Sequence, residues 1–130
     1  MPIAMRYGSN DYTRSGGGSG GGITMSLIWT NPDPTSSFAA QTVPIDLSGY
    51  DAIEIVGTGG VQTPRLFINK MLVDGNNWAM FSVSGASSYY YNRHVDVLTT
   101  GLTFSTGYRN GTAGTGYCIP LKIYGIKGIS

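Results

Sequence analysis

The stretch YYYNRHVDVL, residues 89–98, decides the fold class of this sequence. It alternates between two sets of side chains: Tyr89, Tyr91, Arg93, Val95 and Val97 in one set, and Tyr90, Asn92, His94, Asp96 and Leu98 in the other. Successive side chains of a strand point to opposite faces, so this alternation predicts a β-strand with one face toward a core. Three consecutive tyrosines cannot share a face, and at least one of them must lie away from the core.

Shorter runs of the same kind surround this stretch, separated by clusters of Gly, Pro, Asn and Asp. They predict strands at residues 23–30, 42–47, 50–56, 65–73, 78–83, 102–104 and 117–124. In the first of them, Ile23, Met25, Leu27 and Trp29 are predicted to share one face. Asp74-Gly75 predicts a hairpin between its flanking strands, and residues 106–116 predict a glycine-rich loop. About eight short strands predict an all-β fold, an antiparallel, jelly-roll-like β-sandwich.

The composition supports this fold class. Only 12% of the residues are charged, and Glu54 is the single glutamate. Straight-chain charged residues supply helix propensity and the solvated face of a helix, so an all-α fold is excluded. Hydrophobic residues at 41% and nine tyrosines argue against disorder.

A change of composition divides the chain in two. Residues 14–22 read RSGGGSGGG, which is typical of a flexible linker. We therefore expect residues 1–22 to form an N-terminal arm and linker, and residues 23–130 to form the sandwich domain.

The residue counts argue against an enzyme. One histidine and one cysteine cannot build a multi-ligand metal site, so neither a metal nor a cofactor is expected. Ser19 matches a G-x-S-x-G motif, but it lies inside the glycine run without the strand and helix that motif requires. His94 and Asp96 are predicted to share a strand face as a polar pair, with no positioned serine to complete a triad.

The low net charge argues against nucleic acid and anionic membranes as partners. A net charge of +1 gives no basic field for nucleic acid or an anionic membrane, and no apolar run approaches a membrane span. With no signal-peptide pattern at the N-terminus, synthesis in a cytoplasm is expected.

A group of aromatic, amide and basic residues at strands and turns could form a contact surface. Flat rings cover apolar faces of sugars or partner side chains, and amides hydrogen-bond hydroxyls. The alternative is that such aromatics fill the core, a subunit interface or cross-strand pairs. The candidate surface or receptor-binding residues are Asn76, Asn77, Trp78, Tyr89, Tyr90, Tyr91, Arg93, Tyr108 and Arg109.

Three motifs resemble the small β-sandwich domains at the tips of bacteriophage tail and head fibres. They are VPIDLSGYDAIEI at residues 43–55, GLTF at residues 101–104 and YCIPLKIYGIK at residues 117–127. The resemblance spans about two-thirds of the chain.

This resemblance implies a non-enzymatic virion structural protein, made in the bacterial host cytoplasm, whose sandwich forms a homotrimer. It also implies display at the virion surface and attachment to a host glycan or protein. The N-terminal arm would anchor the chain to another virion protein, with Met1, Pro2, Ile3, Met5, Arg6 and Tyr7 as candidate anchoring residues. Two alternatives stay open: a carbohydrate-binding module, and a capsid decoration protein of the head-fibre kind.

Overall fold

The structure is a computed structural model that describes residues 22–35, 37–59, 62–69, 75–83 and 88–129. In these ranges it has nine strands and no helix. The strands are β1 (Thr24–Thr30), β2 (Gln41–Pro44), β3 (Ala52–Gly57), β4 (Arg65–Ile68), β5 (Asn77–Val83), β6 (Tyr90–Leu98), β7 (Gly101–Arg109), β8 (Thr112–Gly114) and β9 (Pro120–Lys127).

The strands form two sheets, and every strand pair is antiparallel. The four-stranded sheet has the order β1-β9-β3-β4, and the five-stranded sheet has the order β2-β7-β6-β5, with β8 paired to β7. The predicted all-β sandwich is therefore confirmed, with nine strands where the sequence predicts about eight. The first three strands alternate between the sheets, and β9 returns between β1 and β3.

The core lies between the inner faces of the two sheets. Ile53, Ile55 and Ile123 of one sheet face Val95 and Val97 of the other, and all five are fully buried. The alternation of residues 89–98 holds in β6, where Arg93, Val95 and Val97 are buried and Tyr90 and Leu98 are exposed. Period-two patterning therefore places this central strand correctly.

A bulge in β1 changes which residues share a face. Met25 and Leu27 pair with Ile126 and Tyr124, but the register shifts between Leu27 and Trp29. Trp29 consequently packs against the inner core, whereas Met25 belongs to a cluster on the outward face. The prediction that Trp29 shares a face with Met25 and Leu27 is wrong, because one extra residue inverts the alternation beyond the bulge.

The predicted hairpin at Asp74-Gly75 stays a prediction, because Asp74 and the predicted strand residues 70–73 lie outside the described ranges. Among the described residues, β4 pairs with β3 in the four-stranded sheet, and β5 pairs with β6 in the five-stranded sheet. Gly75 has a φ of +84°, a left-handed conformation that favours glycine in a turn.

The predicted loop at residues 106–116 instead contains a hairpin. β7 continues to Arg109 and pairs with β8, and Asn110 and Gly111 form the turn with φ values of +49° and +85°. Two successive residues at positive φ are the signature of a type I′ turn, for which Asn-Gly is preferred.

The arm and linker lie outside the described ranges except for Gly22, and so do all six candidate anchoring residues. Within the part of the chain that is described, there is no long apolar helix of the kind that crosses a membrane.

Candidate binding face of the five-stranded sheet

The outward face of the five-stranded sheet brings six side chains together. Cross-strand pairing places Val83 opposite Tyr90, Phe81 opposite Asn92, and Asn92 opposite Tyr108. Alternation along β6 adds His94 to the same face. We call this group the outer patch; it consists of Phe81, Val83, Tyr90, Asn92, His94 and Tyr108.

The outer patch exposes large apolar side chains to solvent. Phe81 is 61% exposed, Val83 55% and Tyr90 45%. The three lie on the edge strand β5 and its neighbour β6, so their side chains form one continuous surface. Scattered exposed hydrophobics are ordinary, but contiguous ones mark contact surfaces.

Polar groups lie beside these apolar side chains. The Asn92 side-chain amide is 3.4 Å from the Nε2 atom of His94, and the rings of His94 and Tyr108 are 6.4 Å apart. The patch thus combines ring faces with an amide and an imidazole, which can cover an apolar surface and hydrogen-bond its polar substituents.

Aromatic contacts support one end of this sheet from its inward side, because Arg109 pairs with Tyr91 and points away from the outer patch. The Arg109 guanidinium lies 4.5 Å from the ring centroid of Tyr89 and 5.1 Å from that of Tyr117. The side chain of Asn110 accepts a 2.8 Å hydrogen bond from the backbone N–H of Tyr90. The turn after β7 is therefore held against the start of β6, which fixes the position of Tyr90.

The predicted surface residues fall into three groups. Asn77, Tyr90 and Tyr108 lie on the outward face, with Asn76 exposed beside it. Tyr89 and Arg109 form a cation–π contact on the inward side of the sheet, since Arg109 pairs with Tyr91. The remaining three, Trp78, Tyr91 and Arg93, point toward the core and cannot meet a partner on this face.

Arg93 is the clearest correction, because the prediction that it contributes to a binding surface is wrong. Its side chain is fully buried and donates to the backbone carbonyls of Ser105, Thr115, Tyr117 and Cys118, at 2.5 to 3.2 Å. The guanidinium also lies 5.2 Å from the ring centroid of Phe38. Burial lowers the pKa of Arg93 to about 10, which still leaves the group charged at neutral pH.

The carbonyls that bind Arg93 belong mostly to the segment between β8 and β9. This segment carries the chain from the five-stranded sheet to the four-stranded sheet. Five donor hydrogens in a fixed fork suit arginine to this role, because one side chain can donate to several carbonyls at once. The Thr115 carbonyl also accepts the backbone N–H of Phe38, at 2.9 Å. Arg93 is thus a structural tie between the sheets.

Sequence reasoning missed four members of the outer patch as contact residues: Phe81, Val83, Asn92 and His94. Alternation in β6 already places Asn92 and His94 on the face of Tyr90. The missing information was the pairing of β5 with β6, which puts Phe81 and Val83 beside them.

His94 and Asp96 share this outward face, as the sequence predicts. Asp96 lies opposite Asn77 and Thr103, and Ser105 uses its hydroxyl to accept the His94 backbone N–H at 3.0 Å. No group of three or more His, Cys, Asp or Glu side chains that could hold a metal occurs within the described ranges.

Cys118 gives the stability of the fold a pH dependence. Burial raises the pKa of its thiol from 9.0 to about 11, with the Arg93 charge acting in the opposite direction. Between these values the unfolded chain loses the thiol proton and the folded chain keeps it. The stabilisation is therefore fully present below pH 9 and is lost as the pH rises to about 11.

We expect Cys118→Ala to flatten this alkaline loss of stability. From pH 8 to 10.5, the free energy of unfolding of the native sequence should fall by about 2 kcal/mol more than that of the variant. Urea unfolding at both pH values measures the difference between the two proteins, which differ only at residue 118. Parallel pH profiles would contradict the expectation.

Comparisons of the chain with protein-family models, with curated proteins and with solved structures found no match.

Proposed function

We propose that this protein is a non-enzymatic structural protein of a bacteriophage virion. Its sandwich assembles as a homotrimer and is displayed for attachment to the host surface. The observation that carries the proposal is the outer patch, where large apolar side chains stay exposed in a chain of only 12% charged residues. Such a surface is stabilised when another molecule covers it. The fibre-tip resemblance of residues 43–55, 101–104 and 117–127 supports the same proposal.

The outer patch suits either of the contacts that a fibre tip makes. A flat sheet face with exposed aromatic residues can pack against the same face of neighbouring copies around a symmetry axis. Its amide and imidazole groups can equally bond hydroxyls of a host glycan or polar groups of a host protein. Anchoring of residues 1–14 to another virion protein remains a prediction, because those residues lie outside the described ranges.

The oligomeric state of the full chain tests the proposal. Light scattering at micromolar concentration should give three times the 13.8 kDa mass of the chain. A monomer at that concentration would count against the homotrimer. Immunogold labelling of virions separates the two locations: label confined to the head would indicate a capsid decoration protein instead of a tail-fibre tip.

Phe81→Asp is expected to weaken self-association at least about tenfold, because it places a charge in the apolar centre of the outer patch. Phe67→Asp is the matched control, since Phe67 is also exposed, at 52%, but lies on the edge of the other sheet. Sedimentation of both variants over a concentration series measures the effect. Equal weakening by both substitutions, or by neither, would rule out the outer patch as the subunit contact.

A carbohydrate-binding module is the second candidate. It is favoured by the closeness of the Tyr90 and Tyr108 rings to the Asn92 and His94 side chains on one face. Light scattering together with a glycan array distinguishes the two candidates. A monomer that binds the array would support a carbohydrate-binding module over a fibre tip.

A further inference from the structure

An open pocket lies where the edges of the two sheets come together, between the end of β1 and β2. β1 is the outermost strand of the four-stranded sheet, and β2 is the outermost strand of the five-stranded sheet. Residues of the segment that joins them, among them Asn31, Asp33 and Phe38, line one side. The pocket has a volume of about 280 Å³ and contains none of the outer-patch residues. We call it the edge pocket.

The inner part of the edge pocket is aromatic and apolar. Trp29, Phe38 and Val43 line it; Phe38 and Val43 are buried, whereas Trp29 is half-buried. The bulge in β1 turns the Trp29 side chain to the inward side of its sheet. Its ring meets the Phe38 ring edge to face, with 6.1 Å between the centroids. The edge pocket therefore offers an apolar surface to a ligand.

The rim of the edge pocket is polar. Asp33, Ser37 and Gln41 line it and are exposed. Gln41 lies two residues before Val43 on β2, so alternation places both on the same face. A hydroxyl and an amide can both donate and accept hydrogen bonds, and a carboxylate accepts them. These are the groups that hydroxyls of a ligand can bond.

The charges around the edge pocket favour a neutral ligand. The described residues that line it include no Lys, Arg or His that could pair with an anion. A cation is also disfavoured, because the Arg93 guanidinium already lies 5.2 Å from the Phe38 ring centroid, behind the aromatic part of the pocket.

Hydrogen bonds hold the wall of the edge pocket in place. The buried Asn31 side chain donates to the Pro120 carbonyl at 2.8 Å and accepts the Asp33 backbone N–H at 2.9 Å. Phe38 donates its backbone N–H to the Thr115 carbonyl at 2.9 Å. The segment between β1 and β2 is thus tied at both ends, so a ligand would meet a pocket that is already formed.

The volume limits the size of the ligand. About 280 Å³ is the volume of roughly nine molecules of liquid water. Covalently bonded atoms pack more densely than water molecules, so a ligand of about a dozen non-hydrogen atoms fits. A hexose ring with its hydroxyls is of this size. It has an apolar ring face and a polar edge, which match the inner part and the rim of the edge pocket.

We propose that the edge pocket binds one neutral hexopyranose unit of a glycan. The sugar ring face lies against Trp29, and its hydroxyls bond Asp33 and Gln41. The proposal does not rest on the proposed function, since a fibre tip and a free carbohydrate-binding module can each carry such a pocket. β2 and β5 are the opposite edges of the five-stranded sheet, about 14 Å apart. A subunit contact centred on Phe81 therefore leaves the edge pocket open.

NMR titration of the full chain tests the proposal. Glucose, galactose, mannose and N-acetylglucosamine are each added at millimolar concentrations, because a ligand of this size binds weakly. At least one sugar should shift the indole N–H signal of Trp29 and leave that of Trp78, which packs against the core, unchanged. Trp78→Phe assigns the two signals. The absence of a shift at Trp29 with all four sugars would overturn the proposal.

The two glutamines of the chain provide matched variants. Both are exposed, and each makes one 3.1 Å hydrogen bond between its side chain and a backbone group, Gln41 with Ala39 and Gln62 with Val83. Gln41→Ala should raise the Kd for the sugar about fivefold, through loss of a hydrogen bond to a hydroxyl. Gln62→Ala, outside the edge pocket, should leave the Kd unchanged. Equal Kd values for the two variants would contradict the assignment.

Two further outcomes would also overturn the proposal. Tetramethylammonium that shifts the Trp29 signal more than any sugar would make the edge pocket a cation site. Sugar-dependent shifts of the Tyr90 and Tyr108 backbone amides, with Trp29 unchanged, would move glycan binding to the outer patch. Light scattering measures the trimer separately, so failure of one proposal leaves the other standing.

Discussion

Replacing Arg93 with methionine is expected to destabilise the fold by about 3 kcal/mol or more, a large part of the stability of a domain this size. Removing the guanidinium takes this donor from the buried carbonyl of Cys118 and from the part-buried carbonyls of Ser105 and Tyr117. The Thr115 carbonyl also loses it but keeps the backbone N–H of Phe38. Exchanging a buried charge for an apolar side chain can be neutral when its partners are exchanged too. Here the partners are backbone atoms and remain, so the cost is not offset.

The matched control is Arg109→Met. Arg109 is half-buried and stacks on Tyr89 and Tyr117, an arrangement worth about 1 kcal/mol. Urea unfolding of both variants measures the loss of unfolding free energy. At an unchanged slope m, that loss appears as a shift of the transition midpoint. If the two variants lose the same stability, Arg93 does not hold the segment between β8 and β9 as described.

Gly107→Ala is expected to cost about 3 kcal/mol by steric conflict alone. Gly107 lies opposite both Arg93 and Gly114, where the segment before β9 passes over β7. A Cβ atom there would lie well inside van der Waals contact with the carbonyl oxygen of Tyr117, and 2.9 Å from that of Gly114. Backbone atoms at such a crossing move only at a high cost in free energy. The segment before β9 would therefore have to separate locally from β7.

Gly111→Ala separates this effect from backbone strain. Gly111 has a φ of +85° but nothing within 4 Å of the added methyl group, so only the left-handed conformation opposes the substitution. We expect a loss of about 1 kcal/mol. Thermal and urea unfolding should rank Gly107→Ala as the more harmful change, and the opposite order would mean that β7 has room at Gly107.

The sequence predicts the fold class well because most strands follow period-two patterning over a buried face. Residues 89–98 are the strongest case, since both faces of β6 are as the alternation predicts. Residues 23–30 show how this reasoning fails. The pattern there is equally regular, but the bulge between Leu27 and Trp29 depends on the partner strand β9, which the local sequence does not reveal.

The turn at Asn110-Gly111 shows a different limit. It joins the paired strands β7 and β8, and Asn-Gly is a preferred hairpin sequence. The sequence nevertheless predicts a loop there, because the signal lies inside a glycine-rich segment whose composition is typical of a loop.

The candidate site is less predictable than the fold. Arg93 shares a face with Val95 and Val97 in the alternation, so its burial follows from the pattern. A charged side chain is, however, usually expected at the protein surface. Its backbone carbonyl partners come from a distant segment and carry no side-chain signal. Likewise, Phe81 joins the outer patch only because β5 lies beside β6.

The pairing of Thr24 with Lys127 has a consequence for how the molecule is held. The start of β1 and the end of β9 lie side by side on the four-stranded sheet, so a tether at either end pulls on that same sheet. The outer patch belongs to the opposite sheet, so it points away from the surface to which the chain is attached. Immobilisation through either end should therefore leave that face equally accessible.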